Sequence, residues 1–323
     1  MLVARRHADS VSHLGEIQLI RQIKSWLGPV NPPLPNGIGD DCAIIEPVKI
    51  GRQLITTDCV SYGQHFDDRV TAGDAGAKLI KRNISDIAAM GGVPGPAVLA
   101  LLCSPNVSIK WLEGFFCGIR QTCMRYSIPL VGGDVSALKE TALSAVLTLT
   151  GSVITPKLRS ASQIGDSIYV TGTLGGSILG KHFEFEPRLA EGQWISKQQE
   201  CHAMVDLSDG LGKDLLTLLP ADASAHLLLD KIPISDAASE LAKRTGRDKR
   251  EHAFCDGEDY ELLFTVSKHM DRCGFETNWK HNFPGTQLTC IGTIERGSNE
   301  TPYLDALTKN PVPWTCGFEH LKT

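Results

Sequence analysis

Several features that mark specialised proteins are missing from this chain of 323 residues. It has ten cysteines, at positions 42, 59, 103, 117, 123, 201, 255, 273, 290 and 316, but no CxxC pair. Zinc-ribbon and thioredoxin-like readings therefore find no support, and the thiols are expected to be reduced and mostly buried as small apolar residues. Long apolar runs are also missing: the stretch 97–103 is far shorter than the roughly 20 residues that cross a bilayer. The opening MLVARRHADS lacks a signal-peptide core, so a cytoplasmic protein without a membrane partner is expected. No surplus of positive charge exists either, with 32 Lys and Arg against 37 Asp and Glu for a net charge of −5. Nucleic acid is thus not an expected partner, and a polyanionic ligand needs a local device such as a metal ion or a glycine-rich turn. Neither a Walker A loop nor a Rossmann fingerprint occurs.

What is present is ordinary globular material, 42% hydrophobic and 21% charged, enough to bury a core in one large or two medium domains. Helical periods appear at 15–26, 72–90 and 109–126, the second stopping at Gly91-Gly92 with Pro94 beyond. Short apolar runs at 42–45, 53–57, 98–103, 129–131 and 142–154 read as strands. After a polar, turn-rich stretch near 152–165 the alternation restarts. Strands are expected at 167–171, 225–229, 260–266 and 287–294, and helices from 207 onward and over 236–245. The fold class is α/β, an α+β arrangement of two domains, 1–154 and 155–323.

The chemistry is carried by aspartates. GIGDD (37–41), ITTD (55–58), NISD (83–86), VGGD (131–134) and DLSDG (206–210) each set an Asp beside Gly, Ser or Thr at the edge of an apolar element. One such Asp alone reads as a helix cap. Five together repel one another unless cations lie among them, and a set of oxygen donors nearly free of histidine suits Mg²⁺ and phosphate rather than zinc. The turns Gly132-Gly133 and 172–176 are candidates for main-chain phosphate contacts; for the second, a tight strand-to-helix connection is the plainer reading.

In order and spacing, GEIQLI, GIGDDCA, ITTDCVSYGQHF, NISDIAAMGGVP, VGGD, GDSIYVTGTLGGS, DLSDGL and GEDYELLF resemble the thiamine-monophosphate kinase family across essentially the whole chain. That family sits in a superfamily with aminoimidazole ribonucleotide synthetase and selenophosphate synthetase. The resemblance implies transfer of the ATP γ-phosphoryl to thiamine monophosphate with several Mg²⁺ ions, ATP being the co-substrate. The implied metal ligands are Asp41, Thr56, Thr57, Asp58, Asp86, Asp134, Asp206 and Asp209, with Asp58, Asp134 and Asp209 acting at the reacting phosphates. ATP is expected at Gly133, Asp134, Arg159 and Ser208, and thiamine phosphate at His65, Glu258 and Phe318. The resemblance further implies a homodimer whose N-terminal sheets pair into an intersubunit barrel, with active sites in clefts between the N- and C-terminal domains. Two departures stand out: Asp256 precedes Gly257 where relatives have a second glycine, and Phe115-Phe116-Cys117 replaces a segment that often carries tyrosine.

Bringing two phosphorylated substrates together is a charge problem, so the carboxylates are read as holders of Mg²⁺ rather than proton acceptors. A superfamily enzyme with another acceptor, a nucleotide sensor without turnover and a metal-dependent phosphohydrolase are the alternatives.

Overall fold

Strand periods of two and helix periods of 3.6 place the apolar residues of this chain on the inward faces of two successive sheets. The computed structural model describes residues 1–34, 36–39, 42–138, 142–298 and 300–318. The chain divides into two units, Met1–Ile87 with Val93–Ile154, and Ala88–Gly92 with Thr155–Thr323.

The first unit contains α1 (Val11–Leu14), α2 (Glu16–Leu27), β1 (Arg52–Ser61), α3 (Ala72–Ala89), β2 (Val93–Cys103), α4 (Ile109–Tyr126), β3 (Leu130–Ala137) and β4 (Leu143–Val153). Its four strands lie in the order β1-β4-β2-β3. Pairs β1/β4 and β2/β4 are antiparallel and β2/β3 is parallel. In β4, Leu143, Ala145, Leu147 and Leu149 are buried while Ser144, Val146, Thr148 and Thr150 are only partly so. Each Leu buried in this way contributes roughly 1.5–3 kcal/mol. On β1, Thr56 and Asp58 reach residues of α3, whereas Thr57 bonds across to Thr148 on the opposite face. That second face keeps apolar side chains in solvent, with Ile55 73% and Val98 41% exposed.

The second unit contains β5 (Ser167–Thr171), α5 (Lys181–Glu184), α6 (Leu189–Ser196), β6 (Cys201–Asp206), α7 (Leu211–Asp214), β7 (Ala223–Leu227), α8 (Asp236–Thr245), α9 (Lys249–Cys255), β8 (Leu262–Val266), α10 (Arg272–Asn282), β9 (Leu288–Arg296) and β10 (Tyr303–Asp305). Six strands run β10-β7-β9-β5-β8-β6. One core cluster gathers Ile168, Val170, Val205, Leu211, Phe254 and Leu263; a second is built around Tyr169, Met204, Phe264, Phe275 and Trp279. Among the described residues no helix is long and apolar enough to cross a membrane.

Three expectations change. Residues 42–45 form no strand: Ile44 and Ile45 are exposed and pair with no neighbour in a ladder, so the apolar run had no sheet to join. The strand read at 129–131 continues to Ala137, so Gly133 and Asp134 lie within β3 and not beyond its end. The thiols are not mostly buried: only Cys103, Cys123 and Cys201 are, while Cys42, Cys273 and Cys316 are exposed. Burial pushes the Cys103 thiol up to about 11 and that of Cys123 to about 12.

Candidate active site

In the first unit, the face of β1 that meets α3 assembles oxygen donors. Thr56 Oγ1 donates to Asp86 Oδ2, and Asp58 Oδ1 accepts from Arg82 Nη2 at 3.1 Å. Arg82 also donates to the Cys59 carbonyl at 2.6 Å. The spacing of Lys78, Lys81, Arg82 and Asp86 along α3 is three, one and four residues, which puts cations and a carboxylate on one helical face. Both lysines are buried, and Lys78 Nζ donates to the His65 carbonyl at 3.2 Å. These cations went unread in the sequence, although the KLIKRNISD pattern carried the signal. His65 is half-buried in the turn after β1, where its Nδ1 accepts from the Ser61 N–H at 3.0 Å. The main chain thus orients this ring. Thr57 directs its hydroxyl to the Leu147 carbonyl at 3.0 Å, away from the Asp58 and Asp86 face. Asp41 lies outside the described residues.

Gly133 and Asp134 occupy edge strand β3, where Gly133 pairs with Leu99. A Cβ at position 133 would sit 1.9 Å from the Leu99 carbonyl oxygen, so only glycine fits this close approach. Asp134 is exposed and accepts from Ser136 Oγ at 2.7 Å. Beside them opens a cleft of about 280 Å³, floored by Ile20, Ile23, Leu99 and Phe116, with Glu16 and Asp134 as its acidic groups.

In the second unit, the DLSDG turn is the meeting point. A helix from 207 was expected, but the chain turns through 207–210 and only Leu211–Asp214 is α-helical. Asp214 Oδ2 holds the turn by accepting from the N–H groups of Asp209 at 2.9 Å and Gly210 at 3.1 Å. The turn is laced to GEDYEL: Leu207 N–H donates to the Glu261 carbonyl, Tyr260 N–H to the Leu207 carbonyl, and Glu258 N–H to the Ser208 carbonyl, each at 2.8 Å. On its other side, Phe318 N–H donates to the Asp209 carbonyl at 2.9 Å. Lys213 Nζ reaches both Asp209 Oδ2 at 2.6 Å and the Phe318 carbonyl at 2.9 Å. Five expected site residues, Asp206, Ser208, Asp209, Glu258 and Phe318, therefore share one local framework. Arg159 is exposed in a short turn, Arg159–Ala161, that packs beside β6.

Crowding of carboxylates is the electrostatic signature here. Asp206 is buried at the end of β6, and burial first, then the charge of Asp206, pushes Asp214 up to about 7. Glu258 and Tyr260 take left-handed backbone angles, φ 55° and 50°, on either side of Asp259. This contortion sends Asp259 into the interior and leaves the Glu258 side chain 29% exposed, touched by Tyr260 Oη and His182 Nδ1 at 3.3 Å each.

The glycine stretch 172–176 has the plainer of its two readings. Gly175 N–H donates to Asp259 and Gly176 N–H to Asp256, each at 3.0 Å, so these groups already have carboxylate partners. Nearby, Glu261 is buried and held by Arg188 Nε at 2.7 Å, Arg188 Nη2 at 2.9 Å and Lys181 Nζ at 2.9 Å. The last two acids of GEDYEL are thus internal braces, a role their sequence spacing does not reveal.

The donors fit a hard divalent cation, being hydroxyl and carboxylate oxygens throughout. Among the described residues no three His, Cys, Asp or Glu stand close enough to enclose a metal by themselves.

Residues 39–153 match the family described as AIR synthase related protein, N-terminal domain. The chain is 35% identical over 272 residues to the thiamine-monophosphate kinase of Rhodopirellula baltica, covering 81% of this chain and 84% of that one. It is 32% identical over 335 residues to the enzyme of the same name from Haemophilus influenzae, covering 96% and 98%. Among solved structures, AaThiL complexed with AMPPCP and TMP matches with a TM-score of 0.68 and 29% identity, over 95% of this chain and 97% of that one. Identity above 30% along nearly the full length of both chains reaches well beyond one shared domain, and this chain belongs to the thiamine-monophosphate kinase family.

Proposed function

We propose that this enzyme transfers the γ-phosphoryl group of ATP directly to the phosphate of thiamine monophosphate, giving ADP and thiamine diphosphate, with several Mg²⁺ ions bound. The observation that carries the reading is the main-chain bonding of the Glu258 and Phe318 segments to the turn that holds Asp206, Ser208 and Asp209, which joins the segment assigned to a phosphate-bound cation with those assigned to an organic cation. The proposed Mg²⁺ holders are Asp41, Thr56, Asp58, Asp86, Asp134, Asp206 and Asp209. Thr57 is assigned with them by its place in the ITTD motif, although its hydroxyl is directed to the Leu147 carbonyl. When bound, Mg²⁺ supplies positive charge to the β- and γ-phosphate oxygens and to the acceptor phosphate.

The chain's own residues do the rest. Gly133, whose missing side chain the sheet itself requires, is assigned to the ATP phosphates through its main chain, and Asp134, Ser208 and Arg159 complete the nucleotide contacts. The apolar cleft beside Gly133 accepts the flat base. Thiamine monophosphate is assigned to His65, Glu258 and Phe318, with the Glu258 carboxylate facing the thiazolium and Phe318 lending a ring face. His65 acts as a hydrogen-bonding residue, since a phosphate nucleophile is already ionised at neutral pH and demands no base. Domain roles follow: residues 1–154 for nucleotide, metal and dimer contacts, and 155–323 for completing the substrate site.

The homodimer is proposed through the exposed face of the first sheet, where Ile55 and Val98 would leave water against a second copy in a shared barrel. A cytoplasmic location suits a pathway of soluble phosphorylated substrates. An acceptor panel tests the proposal: with Mg-ATP and several phosphorylated vitamins, only thiamine monophosphate is expected to gain a phosphate. Equal use of an unrelated phosphomonoester would overturn it, and ADP release without any acceptor would favour a phosphohydrolase.

A further inference from the structure

The Sγ atoms of Cys255 and Cys316 lie 3.1 Å apart, although 61 residues separate them in the sequence. Both thiols are free; Cys255 is half-buried and Cys316 is exposed. Cys255 is the last residue of α9, and the chain then runs through Asp256-Gly257 into Glu258. Cys316 stands two residues before Phe318, in a segment pressed against α7, where a Cβ on Gly212 would meet the Trp314 and Cys316 carbonyl oxygens at 2.5 and 2.6 Å. The pair therefore faces across the junction between the segments that carry Glu258 and Phe318.

We propose that Cys255 and Cys316 are a reversible thiol–disulfide switch, oxidised by a low-molecular-weight disulfide such as oxidised glutathione. Its regulatory half rests on the assignment of Glu258 and Phe318 to thiamine monophosphate. The accessible Cys316 thiolate attacks one sulfur of the oxidant, leaving a mixed disulfide and releasing one glutathione thiolate. Cys255 Sγ then attacks Cys316 Sγ, its proton passes to solvent, and the second glutathione leaves as thiolate. Two protein thiols lose two electrons in total, and one external disulfide becomes two thiols. The order of attack follows from exposure and from acidity: burial and the hydrogen bond with Cys316 push the Cys255 thiol up to about 12. Bonded sulfurs sit at about 2.05 Å, so closure draws Cys316 about 1 Å toward α9 and pulls Phe318 from its place on the Asp209 carbonyl. Transient disulfides of this kind are the usual form in a reducing compartment.

The test incubates the folded full-length protein with oxidised glutathione, blocks remaining thiols by alkylation and maps peptides by mass spectrometry without reduction. Expected are a linked pair of peptides containing Cys255 and Cys316, its loss on adding dithiothreitol, and its absence in Cys316→Ser. Linked protein should show a KM for thiamine monophosphate raised roughly threefold or more, with the KM for ATP unchanged. A glutathione adduct that stays on Cys316 while Cys255 is alkylated overturns the switch. A linked protein with an unchanged KM for thiamine monophosphate overturns its regulatory half. Because the linked peptide is read by mass alone, failure of the enzyme to use thiamine monophosphate would refute the substrate assignment without touching the disulfide result.

Discussion

Replacing Asp58 with Asn separates metal holding from folding. The side chain keeps its shape, and the amide oxygen can still accept from Arg82, which retains its 2.6 Å bond to the Cys59 carbonyl. The pair being lost is only partly buried, with side chains 27% and 12% exposed, so folding stability should fall by about 1 kcal/mol, or about 2–4 °C in Tm. In the proposed site, the charge that Asp58 sets against the phosphate-bound cation disappears altogether. Loss of one such interaction from the transition state costs about 4 kcal/mol, which is on the order of a 10³-fold fall in kcat/KM. Steady-state ADP release across a Mg²⁺ titration, paired with a thermal melt, reads both quantities on one preparation. The reasoning is refuted if folded Asp58→Asn protein turns over near the normal rate at limiting Mg²⁺. It is equally refuted if lost activity merely tracks lost folding.

Three further outcomes are expected. Phe318→Ala should raise the KM for thiamine monophosphate by the equivalent of about 1–2 kcal/mol and leave the KM for ATP alone; a drop in Tm with both constants unchanged would reduce Phe318 to packing. Light scattering should give twice the chain mass of 35.0 kDa, and Ile55→Lys combined with Val98→Lys should yield monomer; a fully active wild-type monomer at micromolar concentration would contradict the barrel. Asp259 gives a pH signature: burial pushes its carboxyl up to about 7, since the nearest cation, Lys181, lies 3.8 Å away and is closer to Glu261. Folded protein then holds a proton that the unfolded chain releases near pH 4, so stability should fall as pH rises from about 4 to 7 and level off above. Asp259→Asn should flatten that slope in urea unfolding, and an unchanged slope would assign it to other groups.

The sequence was most legible where period and punctuation agreed. The helix now seen as α3 was readable from its apolar spacing and its stop before Gly91-Gly92, and β1 from a run ending in an acid. Residues 42–45 failed because an apolar run does not say whether a partner strand exists. Strand β6 was missed since CHAMVD mixes polar and apolar residues, yet it delivers Asp206 to the turn. Of the candidate site, the aspartate segments could be read from the sequence, and the DLSDG and GEDYEL segments do lie bonded to one another. Its supports could not be read. The Arg188–Glu261 bridge spans 73 residues, and Asp214 holds the DLSDG turn through main-chain N–H groups that no side-chain motif displays. The cations of α3 were hidden differently: buried lysines look like surface ones until the helix is placed against β1.

Phosphorus NMR of the reacting mixture tests the central claim most directly. With enzyme, ATP, thiamine monophosphate and Mg²⁺, the signals of thiamine diphosphate and ADP should grow one for one, and neither should grow when the acceptor is omitted or Mg²⁺ is chelated. ADP and inorganic phosphate accumulating at the same rate without thiamine monophosphate, or thiamine diphosphate forming in excess chelator, would contradict metal-assisted transfer to this acceptor.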